Sequence, residues 1–469
     1  MPSINLQMTT DKTNTLVRAL GLKEATALNM IDMVGIGPFV TIPFIIKAMN
    51  GPQCMIAWVL GAILALCDGF VWSELGAAMP EAGGSYVFLR ELYGKNKWGS
   101  LMSFLFIWQT VIQAPLVIAS GSIAFSQYLG YLFPIDSVYQ PDTIYQKLVA
   151  GGVVLLIVLL LYRKITDVGK ISIFFWIVVI GTIGWLIIAG LTHFHSDLAF
   201  TYPKDAFTMS PIFFTGLGAA SVKTIYSYLG YYNVCHLGGE IKNPQRNIPK
   251  SIFISIIGIA VLYLLMQICV LGVIPWQTGK NSNFIVSLFF ESIYGRTAAM
   301  VATALILIIA VSSLFSATLG YSRIPYSAAV DGKFFSIFAK IHPKKNFPHI
   351  SLLILGGTAF VFSLLFRLSD VITAIIVMRI LVQFVGQSVG VILLRYKKNA
   401  FALPFKMWLF PLPAVLGIIV WLFVFSQVEL KFQLAGVGVI LLGIVFFVVR
   451  AIKMKEWYPF KEQIELSRK

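Results

Sequence analysis

The chain has 469 residues, of which 58% are hydrophobic and 12% are charged, and it carries a net charge of +16 with a mean hydropathy of +0.83. Soluble globular proteins typically contain about 45–50% apolar and about 25% charged residues. The composition therefore excludes a soluble enzyme or a soluble binding domain and predicts an all-α polytopic membrane protein.

The chain opens with a polar segment, residues 1–24, which lacks the apolar core of a signal peptide. We expect it to be a cytoplasmic tail, and we expect the same of residues 451–469. Between them, apolar runs of about 20 residues, the length that crosses a bilayer as a helix, occur about twelve times. The predicted spans are 25–48, 54–79, 98–132, 147–163, 170–192, 211–238, 250–274, 297–322, 348–366, 371–394, 405–426 and 432–450.

Lysine and arginine residues concentrate in every second gap between the predicted spans. The gap after the second span holds Arg90, Lys95 and Lys97, whereas the opposite gaps hold scattered residues such as Lys147 and Lys280. Positive charge favours cytoplasmic loops, so both termini are predicted to be cytoplasmic in a multi-pass protein of the cell (plasma or inner) membrane. The positive charge is thus a topology signal, and the expected partner is the lipid bilayer rather than nucleic acid.

The first predicted span is interrupted at its centre by "GIGPF", residues 35–39, with Asp32 one turn earlier. About ten residues precede the interruption within the span, or roughly 15 Å of helix, which places it near the bilayer midplane. Glycine and proline weaken the helix there and leave N–H groups free at the start of a new half-helix, where a carboxylate binds well. A simple proline kink is the alternative.

A second interruption lies in the sixth predicted span, where Gly230 is flanked by several tyrosines in "TIYSYLGYYNVC". The first and sixth spans correspond if residues 25–192 and 193–394 are two repeats of five helices, followed by two further spans in 395–450. Interrupted spans at matching places in two halves are typical of a transporter's substrate site. The pattern therefore predicts a 5+5 inverted repeat.

Four motifs resemble those of the amino acid–polyamine–organocation (APC) superfamily of transporters. They are "GIGPF" in the first span, "SELGAAMPEAGGSYVFLRELYG" after the second, "GGEIKNPQRNIPKSI" after the sixth and "YSRIPYSAAVDGKFF" after the eighth. They occur in the superfamily's order and cover nearly the whole chain. The resemblance implies a LeuT-type fold, alternating access, and a substrate held between broken first and sixth helices.

The resemblance also implies roles for particular residues. In the superfamily the substrate carboxylate meets first-helix amides, here those of Ile36 and Gly37, and the amino group meets carbonyls of both breaks. Tyr226 takes the place of a bulky aromatic residue that closes over the substrate, and Gln113 aligns loosely with the side-chain pocket. The implied substrate-binding residues are Asp32, Met33, Gly35, Ile36, Gly37, Gln113, Tyr226, Leu229 and Gly230.

Pro38 departs from the superfamily's pattern, because it lacks an N–H group that would otherwise meet a carboxylate. Polyamine carriers of the superfamily have a similar Gly-Gly-Pro-Phe sequence, and a polyamine has no carboxylate. Asp32 would then face an ammonium group or carry a coupling proton; pairing with a neighbouring helix is the structural alternative. The sequence thus predicts a secondary active transporter of amino acids, with a polyamine or organic cation transporter as the alternative.

Ion coupling is less well defined by the sequence. The lysine that many proton-dependent members have in the fifth span is replaced by Val179. Coupling to H⁺ through Asp32 or Asp68, coupling to Na⁺ through Ser312 and Ser313, and exchange without an ion all remain open. The serines would otherwise bond within their helix.

Two cations lie inside predicted spans, Lys223 and Arg379. By residue count we place both along the outer vestibule, as gates or attractors of anions, with structural pairing to an acid as the alternative. The motifs of zinc enzymes, serine hydrolases and phosphate-binding loops are absent from the sequence. We therefore expect a transporter rather than an enzyme, with no metal and no cofactor.

Overall fold

The computed structural model describes residues 16–133, 143–366, 368–396 and 403–454, and these residues are almost entirely helical. Within these ranges, β-type pairing is limited to two isolated bridges, Leu20 with Ile241 and Ala82 with Leu237. Both bridges join segments that are far apart in the chain. The all-α class predicted from composition is confirmed.

The α-helices of the described residues are numbered in chain order. The first ten are α1 (Leu22–Met33), α2 (Gly37–Met49), α3 (Met55–Ala78), α4 (Ser85–Leu92), α5 (Gly99–Leu132), α6 (Ile144–Leu161), α7 (Ile165–Thr192), α8 (Ser196–Ala199), α9 (Pro211–Tyr228) and α10 (Asn233–His236). The others are α11 (Pro244–Val273), α12 (Trp276–Gly279), α13 (Ile285–Tyr294), α14 (Arg296–Tyr321), α15 (Arg323–Val330), α16 (His349–Leu365), α17 (Leu368–Arg379), α18 (Gly386–Tyr396), α19 (Leu412–Ser426) and α20 (Leu430–Met454). Short 3₁₀ turns cover Pro52–Cys54, Gly238–Glu240 and Ser336–Ala339, and π-helical turns cover Gly94–Trp98 and Ile380–Val385.

Helix length and composition show that the protein is embedded in a membrane. Among the described residues, eight helical segments are long and apolar enough to cross a bilayer, and α1 with α2 makes a ninth if the bent pair is one span. The predicted spans 54–79, 98–132 and 297–322 correspond closely to α3, α5 and α14. Those at 348–366 and 405–426 correspond to α16 and α19, which are shorter apolar helices of 10–17 residues.

The outer helices carry exposed apolar side chains, as expected where the surrounding solvent is lipid. Leu159 on α6, Ile188 on α7 and Leu441 on α20 are all exposed. So large an apolar surface is rare on soluble monomers. It marks these helices as the face towards the acyl chains.

The helices at the centre are interrupted. Between α1 and α2, residues 34–36 are not helical, and the two helix axes differ in direction by 42°. After α9, Leu229 is extended and Gly230 has a φ of 125° before α10 begins. A Cβ atom on Gly230 would lie 2.7 Å from the Met33 amide nitrogen. The two interruptions are therefore in direct contact.

Buried and partly buried ion pairs join the ends of several helices. Glu240, fully buried after α10, receives two hydrogen bonds from the guanidinium of Arg323 on α15, at 2.8 and 2.9 Å. Glu74 on α3 pairs with Arg395 on α18. Arg90 on α4 pairs with Asp331 after α15. Buried charges are retained only when they are paired and hydrogen-bonded, so these pairs join helices that are distant in sequence.

Candidate functional site

A cavity lies at the two interruptions. It is bounded by residues 32–38, by residues 226–232, and by α5, α14 and α17. The volume of the cavity is about 70 Å³. One buried water needs roughly 10–15 Å³ by the same measure, so the cavity is several times larger. Ten of the predicted site residues line it: Asp32, Met33, Gly35, Ile36, Gly37, Tyr226, Leu229, Gly230, Ser313 and Arg379.

The start of α2 presents unsatisfied backbone donors to this cavity. The N–H groups of Gly35, Ile36 and Gly37 donate to no acceptor among the described residues. The first N–H groups of a helix have no partner within it, and the helix dipole makes that end positive. The arrangement can therefore hold an anion such as a carboxylate.

The glycines of this segment are required by close packing. A Cβ atom on Gly35 would lie 2.6 Å from the Ser313 hydroxyl, and one on Gly37 would lie 3.0 Å from the Tyr226 ring. Any side chain at these positions would push against α14 or α9. The absence of side chains lets both helices approach the free N–H groups.

Backbone carbonyls around the cavity differ in whether they already accept a hydrogen bond. Ser313 donates to the Asp32 carbonyl at 3.2 Å, and Tyr263 donates to the Met33 carbonyl at 2.7 Å. The Leu229 carbonyl accepts no hydrogen bond from the described part of the chain. Of the carbonyls predicted to meet a substrate amino group, that of Leu229 is the most available.

Arg379, at the end of α17, lines the cavity. It is 3% exposed, and it donates a hydrogen bond to the Tyr232 hydroxyl. Its guanidinium carbon lies 5.4 Å from the Tyr232 ring centroid and 5.2 Å from that of Tyr321. Its Nε and Nη2 atoms are buried without a hydrogen-bond partner in the described structure.

Sequence reasoning missed several residues that complete the site. Tyr232 and Tyr321 flank Arg379, and Val117 with Gly121 contributes the α5 wall. Ser120 lies just behind, with its hydroxyl 3.1 Å from that of Tyr226. Tyr232 lies two residues after Gly230, and Tyr321 begins the motif "YSRIPYSAAVDGKFF". Only packing brings the two tyrosines to one guanidinium.

Comparison with known proteins places this architecture in a family. The family model described as "Amino acid permease" matches residues 20–449, which is most of the chain. The chain belongs to the amino acid permease family. Membership in the APC superfamily, predicted from the four motifs, is confirmed, and the family is one of transporters rather than enzymes.

Individual relatives of this permease are similar over most of this chain. It is 29% identical to the aspartate-proton symporter of Bacillus subtilis (strain 168), over 70% of this chain and 65% of that protein. It is 25% identical to cationic amino acid transporter 4 of Mus musculus, over 82% of this chain and 60% of the relative. It is 24% identical to the branched-chain amino acid permease BcaP of Bacillus subtilis (strain 168), over 83% of this chain and 84% of that protein. The matched region thus spans less than two thirds of the first two relatives.

Four predicted residues of the permease lie away from the cavity lining. Gln113 on α5 and Ser312 on α14 are buried elsewhere, and the Ser312 hydroxyl donates to the Ile309 carbonyl at 2.7 Å. Lys223 is half-buried on α9, one turn before Ser227. Asp68 on α3 is 1% exposed and accepts a hydrogen bond of 2.6 Å from the Tyr231 hydroxyl.

Proposed function

We propose that this permease moves amino acids across the cell membrane by alternating access. In this proposal α1 with α2 and α9 with α10 are the two broken spans of a LeuT-type fold. Residues 25–192 and 193–394 form the two inverted repeats, residues 395–450 add two spans, and both termini are cytoplasmic. The direct contact between the two interruptions supports the proposal, because broken helices that meet at one cavity are how such transporters bind substrate.

The observation that carries the proposal is the set of free N–H groups of Gly35, Ile36 and Gly37 on the cavity. A substrate carboxylate would satisfy them, whereas a polyamine would leave them unpaired. Pro38 removes only one donor from the set. The relatives are named as transporters of amino acids, which also favours amino acids over polyamines as the substrate class.

Thermal unfolding of the purified permease in detergent, with a panel of ligands, tests this proposal. The panel pairs common amino acids with their decarboxylated amines and adds putrescine and spermidine. A ligand that binds only the folded state at about 100 times its Kd stabilises by about 2.7 kcal/mol. We expect an amino acid to raise the melting temperature and its amine to leave it unchanged. An equal shift with the amine would contradict the proposed role of the amides.

We propose that transport is symport with a proton, carried by Asp68, rather than with sodium. Ser313 lines the cavity whereas Ser312 does not, so the two hydroxyls do not meet there at one sodium position. Asp68 is buried and bonded to Tyr231, which lies in the second interruption, so its charge state can affect the geometry of the site. The titratable groups that interact with it are Tyr231, Tyr232 and Cys67. A relative is named for aspartate-proton symport.

Replacing Asp68 tests the coupling. In Asp68→Asn the side chain is permanently neutral, as it would be when protonated, so uptake driven by a pH gradient into proteoliposomes should fall about tenfold or more while substrate exchange continues. Asp68→Glu should retain gradient-driven uptake. Glu291→Gln is the matched control, because Glu291 accepts a similar hydrogen bond of 2.6 Å from Tyr131. Gradient-driven uptake that is unchanged in Asp68→Asn would exclude this residue as the proton carrier.

A further inference from the structure

Arg379 is a buried cation whose hydrogen-bonding capacity is only partly used. An arginine has five N–H donors in a planar fork that suits a carboxylate. In this permease one nitrogen bonds to Tyr232, while Nε and Nη2 are buried and without a partner among the described residues. Charged groups inside a membrane protein are costly and usually functional. Arg379 is one of the residues that line the cavity, and its two unused donors therefore indicate a place for an anionic group beside it.

The surroundings of Arg379 keep the fork in position. The Tyr232 and Tyr321 rings lie on the guanidinium at 5.4 and 5.2 Å, within the range of cation–π attraction. The helix changes directly afterwards to the π-helical turn Ile380–Val385. Such turns frequently occur at functional sites. Arg379 thus ends α17 with its guanidinium between two aromatic rings at the cavity.

The residues that line the cavity include two kinds of donor for negative groups and one acidic side chain for a positive group. The free amides of Gly35, Ile36 and Gly37 form the first anionic position. Arg379 forms the second. Asp32 lines the same cavity, interacts electrostatically with Arg379, and supplies the partner for an ammonium group.

We infer that the preferred substrate is an amino acid with an anionic side chain, with the side-chain carboxylate on Arg379. This inference rests on the proposed function and specifies its substrate class. The α-carboxylate binds the amides of the first interruption, and the α-amino group binds Asp32 and the Leu229 carbonyl. The side-chain carboxylate accepts hydrogen bonds from the unused nitrogens of Arg379. A neutral amino acid leaves the fork unsatisfied, and a cationic side chain is repelled by it.

The test compares isosteric ligands, so that folding defects cannot mimic the result. Binding of L-aspartate, L-glutamate, L-asparagine, L-glutamine and L-leucine is measured by thermal shift titration, and uptake of the same compounds is measured in proteoliposomes. In the unmodified permease, L-aspartate or L-glutamate should bind more tightly than its amide. In Arg379→Gln, affinity for the acidic ligand should fall about 10- to 100-fold, the value of a lost charge-assisted pair, while affinity for the amide changes less than about threefold.

Arg379→Lys provides the conservative variant. It keeps the charge but loses the fork, so affinity for the acidic ligand should lie between those of the unmodified permease and Arg379→Gln. Equal loss of L-aspartate and L-asparagine binding in Arg379→Gln would assign Arg379 to the α-carboxylate or to structure and overturn the inference. Preference of the unmodified permease for a neutral amino acid would also overturn it, but would leave the proposed function intact. Failure of every amino acid to bind would overturn both.

Discussion

Gly230→Ala is expected to reduce substrate binding and uptake more than about tenfold while the protein remains folded. Gly230 has a φ of 125°, which alanine adopts only with strain, and its added Cβ atom would lie 2.7 Å from the Met33 amide nitrogen and 2.8 Å from the Asp32 carbonyl carbon. Both neighbours are backbone atoms at the end of α1, next to the first interruption, and cannot rotate away. The two interruptions must therefore separate, and the groups that surround the substrate separate with them.

The measurements are ligand-induced thermal shift, uptake into proteoliposomes, and elution as a single species from a sizing column. Gly181→Ala on α7 is the matched control, since a Cβ atom there meets nothing within 4 Å. We expect this control to bind and transport like the unmodified permease, with stability unchanged or slightly raised. Unchanged affinity in Gly230→Ala would show that contact between the interruptions is not needed for binding.

The second large effect is expected at the buried pair of Glu240 and Arg323. The Arg323 side chain is 2% exposed and that of Glu240 is 0% exposed. Glu240→Gln or Arg323→Met should destabilise the folded permease by about 3–5 kcal/mol, because each leaves one buried charge without its partner. The pair joins the segment after α10 to α15, and the backbone carbonyl of Glu240 also accepts from the Ala19 and Leu20 amides. Its loss should therefore loosen three segments at once.

Thermal unfolding in detergent measures this effect in a double-mutant cycle. The variant carrying both Glu240→Gln and Arg323→Met should be more stable than either single replacement, because it leaves no unpaired charge. Glu429→Gln is the comparison at an exposed pair, where both side chains are more than half exposed to solvent, and it should change stability by about 0–1 kcal/mol. Simple additivity of the two buried replacements would show that the charges do not stabilise each other.

Residue spacing predicted the ends of several helices closely, and the reason is local. Whether a segment is apolar, and where glycine and proline weaken its backbone, depends on the segment itself. The ends predicted for α3 and α14 differ from the observed ones by a residue or so. Glycine and proline likewise predict interruptions at "GIGPF" and Gly230, and residues of both segments line the cavity.

Side chains on the cavity were harder to predict, because height along a helix and direction around it both matter. Gln113 lies on α5 one turn before Val117, so it shares the face but misses the height by about 6 Å. Ser312 and Ser313 are neighbours in sequence, yet only Ser313 lines the cavity, because successive helical residues point about 100° apart. Spacing from the end of a span cannot supply that direction.

Composition and motif order were thus enough to predict a helical membrane transporter of the APC superfamily, because these properties belong to single segments of chain. The placement of Arg379 against Tyr232, Tyr321 and the cavity came from tertiary structure alone. Those residues come from three segments far apart in sequence, and the packing of α17 against the rest of the bundle determines which groups its last side chain meets.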